Sequence, residues 1–476
     1  MAVITAPTYD PKTTAENLAN AYVAPTKAIL DKQSTKSAAV STGLTTLGSA
    51  LSAFQATLAS LATGTSSVTS TKATFSNTAI GTGTATSTAQ AGTYSFYVQQ
   101  LATAGQVSYN VGDSSATAAG SMNITLANGT AFKVDLASAD SNKDGTLSAK
   151  EVAAAINAAA DNKSQVTAST MTINGQTRLV LTSNKTGADN AVASIDTSSL
   201  GDPALASALD SSNQTVLTNA TNAIVWAGGK TGTKVEQASN TFSIVDGVQF
   251  TITQAQGASD AAVNLTVASD STGTAGNVQK FVDAYNTLMA SIKTLTAAGD
   301  HTLVSSTDSN ATPSPTSEDA AFYNDAGVAN LRDRLGSLLR SVTGGQSLIS
   351  FGITAAKDGT LTLDSTRLNK AIAANPEGLD KLFGRAGTGV DAGVLGAMNK
   401  LTNSWTTSAG GLLVQRKSQN DKLSSNISDR QATLQNQFDS AYKRYLTQFT
   451  ALQQLQASMT STSNMFTAMF TPDSSS

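Results

Sequence analysis

An α+β multidomain fold is predicted for this chain: a long helical, coiled-coil-like stalk built from both termini, with β-rich head domains formed by the middle. Three observations predict it. A strict heptad of apolar residues lies near the N-terminus. An amphipathic stretch without proline or glycine runs from Leu412 to Phe470. Between them the chain turns to short alternating runs rich in Thr, Ser and β-branched residues, separated by glycine turns.

The heptad comprises Val40, Leu44, Leu47, Leu51, Phe54, Leu58 and Leu61, spaced 4, 3, 4, 3, 4 and 3. That spacing lines one side of a helix, and the intervening Ser, Thr, Ala, Gly and Gln leave the other side polar. Pro25 is expected to break or kink a shorter helix around Thr14 to Val23. At the other end, Leu423, Ile427, Leu434, Phe438, Ala441, Tyr445, Phe449, Leu452, Leu455 and Met459 recur close to the helical period. Gly410-Gly411 marks the start of this helix, and Pro472 to Ser476 reads as a frayed tail. Burying seven large apolar side chains contributes roughly 10–20 kcal/mol. Ordering the backbone costs about 1–2 kcal/mol per residue, so neither helix is stable alone. The expectation is that the two stripes pack within one subunit and also against neighbouring subunits.

Strands are expected at Gly92–Val98, Met122–Leu126, Ala131–Leu136, Met171–Ile173, Arg178–Leu181, Thr241–Val245, Gln249–Thr253 and Ala262–Val267. Asn128-Gly129, Asn174-Gly175 and Asp246-Gly247 supply turns. Helical spacing returns at Val278, Phe281, Val282, Tyr285, Leu288, Ile292 and Leu295, and again near Asp325–Val342. Gly299 to Asp319, with Pro313 and Pro315, reads as a polar loop.

Composition removes several functional classes. The 476 residues hold no cysteine, which excludes disulfides and thiolate metal sites. The single histidine, His301, sits in a Ser/Thr-rich stretch and leaves nucleophile–histidine pairs without material. A net charge of -3 without a dense Lys/Arg cluster gives no reason to expect nucleic acid. No window reaches the apolar length of a membrane span, and the start lacks a secretory signal pattern. Glu318-Asp319 reads as solvated, and Trp226 and Trp405 as isolated. Lys417, Lys422, Arg430, Lys443 and Arg444 read as the wet face of the C-terminal helix.

One local pattern is sharper. Asp140, Asn142, Asp144, Thr146, Ser148 and Glu151, with Gly145, match the twelve-residue calcium loop: oxygens at positions 1, 3, 5 and 9, glycine at 6 and glutamate at 12. Thr146 would offer its backbone carbonyl, and a structural Ca2+ is the cofactor this spacing suggests. No other cofactor is required by anything in the sequence. A second reading needs no metal: Ser148-Ala149-Lys150-Glu151 is a capping box opening a helix over Val152–Ala160, and Asp144-Gly145 is an ordinary turn pair.

Several segments together resemble the flagellar filament cap family (hook-associated protein 2). They are Ser350-Phe351-Gly352-Ile353-Thr354, Asp358-Gly359-Thr360-Leu361-Thr362-Leu363-Asp364, Leu368-Asn369-Lys370-Ala371, Asn375-Pro376-Glu377 and Leu382-Phe383-Gly384. Phe281-Val282-Asp283-Ala284-Tyr285-Asn286, Tyr97–Ala104, Asn240–Thr253 and Tyr445–Gln453 are similar to further parts of that family. Within it, Ile156-Asn157, Val166-Thr167-Ala168, Arg178–Ser183 and Thr186-Gly187 resemble the IN module of hook and flagellin proteins. The opening Val3–Asp10 departs from the family's usual Gly-Leu-Asp-Ile-type start.

The resemblance implies a non-enzymatic, homo-oligomeric cap, exported and extracellular at the distal tip of the flagellum. It would retain flagellin and promote its folding and insertion. Flagellin, the hook–filament junction protein and a flagellar export chaperone are the implied partners. A junction protein or flagellin is the nearest alternative. A head that also adheres to host mucus or a glycan is a second, although the sequence shows no aromatic sugar platform. The expected architecture is nested: a helical stalk from 1–77 and 268–476, a β-rich head domain from 78–115 and 224–267, and an inserted IN-type domain at 116–223.

Overall fold

The computed structural model describes residues 10–62, 67–299, 319–343, 345–384 and 392–470. His301, Pro313, Pro315, Glu318, Val3 to Tyr9 and Pro472 to Ser476 lie outside the described residues. Among those described, the α-helices are α1 (Pro11–Leu61), α2 (Ala149–Ala158), α3 (Pro203–Ala208), α4 (Ser271–Leu295), α5 (Ala326–Leu339), α6 (Ser365–Ala374), α7 (Pro376–Phe383), α8 (Gly393–Thr406) and α9 (Leu412–Phe470). The chain divides into two compact units, Met1–Val68 with Ala275–Ser476, and Thr69–Thr274. The fold is mixed α+β.

In the first unit, α1 starts where Asp10 caps it. The carboxylate accepts from the N–H of Thr13 at 2.9 Å, and Pro11 occupies the first turn, where its missing N–H costs nothing. The helix then runs unbroken through Pro25, contrary to the expected break. Pro25 and Ala21 are both exposed, so water can take up the carbonyl that proline leaves unpaired. The heptad from Leu44 to Leu61 is buried in the unit's main core. It meets Val278, Phe281 and Tyr285 of α4, Leu331 and Leu335 of α5, and Leu395 and Met398 of α8. Phe54 sits edge-on to Tyr285 at 6.4 Å, and Phe281 edge-on to Phe383 at 5.2 Å.

Towards its N-terminus α1 leaves that core and pairs antiparallel with α9. Val23 and Leu30 pack on Ile427 and Leu434. One buried polar contact interrupts the seam. Ser37 Oγ donates to Asn420 Oδ1 at 3.1 Å, and Asn420 Nδ2 donates to the Ser37 carbonyl at 3.0 Å. A satisfied amide at a seam position fixes register, because any slip leaves it buried without partners.

Three helix ends are tied at one node. Asp325 caps α5, accepting from the N–H groups of Gly327 and Val328, both at 2.9 Å. The same carboxylate takes a bidentate contact from Arg416 of α9 at 2.9 and 3.0 Å, and the guanidinium lies 5.4 Å from the ring of Trp405 in α8. Burial pushes the Asp325 carboxyl up, but Arg416 and the Val328 N–H outweigh it and hold its pKa below the usual range. Gly327 leaves room for this contact, because a Cβ there would displace the Arg416 guanidinium.

The second unit contains two cores. One lies between a five-stranded sheet, ordered Ser70–Phe75, Val263–Asp270, Gly92–Gln100, Ala223–Ala227 and Thr233–Gln237, and a three-stranded sheet of Thr241–Val245, Val248–Ile252 and Gly81–Ala85. Phe250 is its centre, with Phe96, Phe242 and Phe75 at 4.8, 5.4 and 5.6 Å. The chain leaves this core and returns at one crossing, where Thr103 and Thr221 exchange backbone hydrogen bonds of 3.0 and 3.3 Å. Beyond the crossing, α2 packs on a four-stranded sheet (Thr215–Thr218, Gln106–Tyr109, Gln176–Ser183, Val166–Ile173), with a three-stranded sheet of Val192–Asp196, Ser121–Leu126 and Ala131–Asp135 completing the second core.

Replacing Asp325 with Ala removes a cap and a charge-assisted pair together, and is expected to cost roughly 2–3 kcal/mol. Arg416→Lys keeps the charge but loses the fork geometry, and is expected to cost about half of that. Urea midpoints of full-length protein read both. Wild-type midpoints for both variants would mean that the node holds nothing.

Candidate functional site

The residues singled out for assembly fall into two sets in the structure. Of the N-terminal heptad, Leu44, Leu47, Leu51, Phe54, Leu58 and Leu61 are buried in their own subunit's core, and Val40 is half-buried against it. From Leu44 to Leu61 these side chains are covered within their own subunit. The α9 stripe is graded instead. Ile427 and Leu434 are buried against α1, Phe438, Tyr445 and Phe449 are half-buried, and Leu423 is 51% exposed. Phe438 stacks on Tyr442 at 6.3 Å, and Arg444 lies 5.0 Å from the Tyr445 ring.

Beyond Phe449 the helix is bare. Asn420 is followed by helix to Phe470, whereas Ser37 is preceded by helix only from Pro11, so the last part of α9 has no α1 alongside it among the described residues. Leu452, Leu455, Met459, Met465, Phe466 and Met469 are all exposed there, reaching 76% at Met469. Sequence reading stopped this stripe at Met459. Met465, Phe466 and Met469 continue it at helical spacing and were the available signal.

The acidic loop is built from its own hydrogen bonds. Asp140 accepts from the N–H of Asp144 at 3.2 Å and of Gly145 at 3.0 Å. Asn142 Oδ1 accepts from the Asp144 N–H at 3.0 Å, and Asp144 Oδ1 accepts from the N–H and hydroxyl of Thr146 at 2.8 and 2.7 Å. Gly145 takes φ +84°, a conformation that disfavours a side chain. Ser148 and Glu151 form a complete capping box on α2. Glu151 is buried: one oxygen accepts from the Ser148 N–H and hydroxyl, and the other from the Ser141 N–H and hydroxyl. These bonds, those from Ser148 foremost, hold its pKa down at about 2. Among the described residues, no group of three or more His, Asp or Glu side chains converges as a metal site.

The remaining motifs have structural duties. Asn157 of Ile156-Asn157 grips Ala168, donating to its carbonyl and accepting from its N–H, both at 2.8 Å, while Ile156 fills the second core. Asn286 does the same for Leu361, at 2.9 and 2.7 Å, which joins the Phe281–Asn286 segment to the Asp358–Asp364 segment. Neither tryptophan is isolated. Trp405 is buried under Arg416, and Trp226 pairs across strands with Tyr97 while its Nε1 donates to Gln99 at 2.6 Å.

Known proteins bear on these features. A family model described as flagellar hook-associated protein 2 C-terminus matches residues 220–461, and one described as flagellar hook-associated protein 2 N-terminus matches 8–105. The stretch that neither covers begins and ends beside the Thr103–Thr221 crossing. The chain is 31% identical to a lateral flagellar hook-associated protein 2 of Vibrio parahaemolyticus over 79% of its length and 81% of the relative's. It is 33% identical to the B-type flagellar hook-associated protein 2 of Pseudomonas aeruginosa over 88% and 87%. Its fold is similar to a crystal structure of the D1-D2-D3 domains of the Escherichia coli flagellar cap protein FliD. That likeness has a TM-score of 0.53 at 24% identity, over 80% of this chain and 98% of the other.

Glu151 has a folded pKa below the ordinary value near 4.3, so the stability it contributes is present above that value and is lost as pH falls through about 2. Glu151→Gln is therefore expected to melt lower than wild type at pH 7, with the gap closing on acidification. Ser148→Ala is expected to cost about 1 kcal/mol. Millimolar calcium is expected to leave the melting temperature unchanged. A rise of several degrees would mean that the loop oxygens exchange their N–H partners for an ion.

Proposed function

With the chain belonging to the flagellar hook-associated protein 2 family, we propose that it works as the cap of the flagellar filament: an extracellular homo-oligomer at the distal tip that retains exported flagellin and promotes its folding and insertion. The observation that carries this reading is the bare end of α9. A helix with Leu452, Leu455, Met459, Phe466 and Met469 all exposed loses free energy in water and gains it when neighbouring chains cover those side chains. Each large apolar side chain covered contributes about 1.5–3 kcal/mol. Such a segment suits a subunit whose ends are completed by what it stands on, here the filament end or the hook–filament junction protein.

The low charge and the absence of cysteine fit export as an unfolded chain, in which no disulfide has to form on arrival. A flagellar export chaperone would meet the same need earlier by covering the α9 end before assembly.

Deleting the gene is expected to leave hooks in place and to release flagellin monomer into the medium. Full-length protein is expected to restore filaments, and a chain with Leu455, Met459, Phe466 and Met469 changed to Ser is expected to fail while keeping its fold by circular dichroism. Normal filaments in the deleted strain would remove the cap reading.

A further inference from the structure

The chain contains two Asn-Gly pairs, Asn128-Gly129 and Asn174-Gly175, each at the turn of a hairpin. This dipeptide has a chemistry of its own, because a glycine has no side chain to shield its backbone nitrogen from the asparagine before it. That nitrogen can attack the asparagine amide and close a five-membered succinimide ring. The two sites share this chemistry but differ in how tightly the fold holds them.

Asn128-Gly129 is pinned. The Gly129 N–H, whose nitrogen would attack, donates to the Leu126 carbonyl at 2.9 Å. The Asn128 side chain, which it would attack, accepts from the Thr130 N–H at 2.8 Å, and the Asn128 N–H donates to the Asp189 carbonyl at 2.9 Å. The turn joins Ser121–Leu126 to Ala131–Asp135, and Val192–Asp196 pairs along the other side of the first of these strands.

Asn174-Gly175 has none of these ties. Ile173 and Gln176 are partners, so the loop is two residues long, and Asn174 and Gly175 take φ of +54° and +79°, the signs a type I′ turn requires. Among the described residues, neither the Asn174 side-chain amide nor the Gly175 N–H has a hydrogen-bond partner. The hairpin outruns its sheet. Gln106–Tyr109 pairs with it only from Leu179 onward, which leaves Met171–Arg178 as a two-stranded ribbon. Met171, Thr172, Gln176 and Thr177 are exposed there. Such a ribbon is marginal in water and opens from its tip.

We propose that Asn174 is a deamidation site, with water as the only co-reactant, and that Asn128 is protected from the same reaction. The Gly175 nitrogen bonds to Cγ of Asn174 and the Cγ–Nδ2 bond breaks. The amide nitrogen leaves as ammonia, taking the proton from the glycine N–H. Water then opens the ring at either carbonyl. Opening at Cγ leaves aspartate at 174. Opening at the backbone carbonyl leaves isoaspartate, with one more carbon in the main chain. Either product adds a negative charge. Isoaspartate also lengthens the two-residue turn, so Ile173 and Gln176 no longer stay opposite. The disturbance stops at the ribbon, because Leu179 and Leu181 are buried in the second core. No enzyme is needed and the amide is not regained, so the converted fraction rises with the age of the protein.

The test holds full-length protein for several weeks at mildly alkaline pH, then maps its peptides by mass spectrometry with fragmentation that separates isoaspartate from aspartate. Asn174 is expected to convert at least about tenfold faster than Asn128, since the three hydrogen bonds at Asn128-Gly129 have to be given up first. In urea, where both turns are lost, that lead is expected to vanish. Conversion at Asn174 is expected to speed up as pH rises, because the glycine nitrogen attacks after losing its proton. An intact Asn174, equal rates in the folded protein, a tenfold lead that persists in urea, or a rate indifferent to pH would each overturn the proposal.

Discussion

The antiparallel meeting of α1 and α9 is the constraint on which the rest of the structure depends. Both chain ends must arrive side by side in one register, and a buried pair, Ser37 with Asn420, fixes it. Everything between must therefore leave the helix pair and come back to it. The Asp325–Arg416–Trp405 node continues that logic, since it ties the start of α9 to α5 and α8. The seam itself is thin: Val23, Leu30, Ile427 and Leu434 form its buried core, far fewer residues than the main core employs. Polar specificity and apolar burial are thus divided between different parts of one long helix.

The same economy recurs in how distant backbones are joined. Asn157 grips Ala168, Asn240 grips Ala102, Asn286 grips Leu361 and Asn420 grips Ser37, each amide using its donor and acceptor together. The first three amides satisfy both backbone groups of one residue, and Asn420 pairs with the carbonyl and the hydroxyl of Ser37, all without the desolvation cost of burying a charge. With charged residues at only 13% and no cysteine, the chain has little else to serve as a long-range tie. This gives a physical reason for Asn157 and Asn286 to stand within recognisable sequence patterns.

Much of this was legible in the sequence, and the misses have particular causes. The heptad from Val40 to Leu61 was correctly read as a helix face, but periodicity reports that a face is buried and not by whom, and α4, α5 and α8 cover it. Pro25 does not break the helix, because its cost depends on whether the freed carbonyl reaches water. Strands such as Thr241–Val245 show clear alternation of large apolar residues, whereas Thr233–Gln237 (TKVEQ) carries a single large apolar residue and Gly81–Ala85 (GTGTA) none. In the acidic loop the positions of Asp140, Asn142, Asp144 and Glu151 were all anticipated. What spacing alone does not show is that the loop's own N–H and hydroxyl groups donate to these oxygens.

The nested crossings bear on the order in which the chain folds. Ser37 and Asn420 are separated by 383 positions, but Ser70 and Asp270 are partners on adjacent strands, and Thr103 and Thr221 meet inside them. Each inner closure shortens the loop that the next one must close. The saving is only about 0.6 kcal/mol per halving, so nesting matters less to final stability than to the sequence of events. The innermost segment can close first, the surrounding sheets next and the helix pair last. In a chain that emerges amino end first from any narrow passage, α1 is the earliest element to appear and the last to find its partner. Until nearly the whole polypeptide has followed, that helix has to be held by something other than α9.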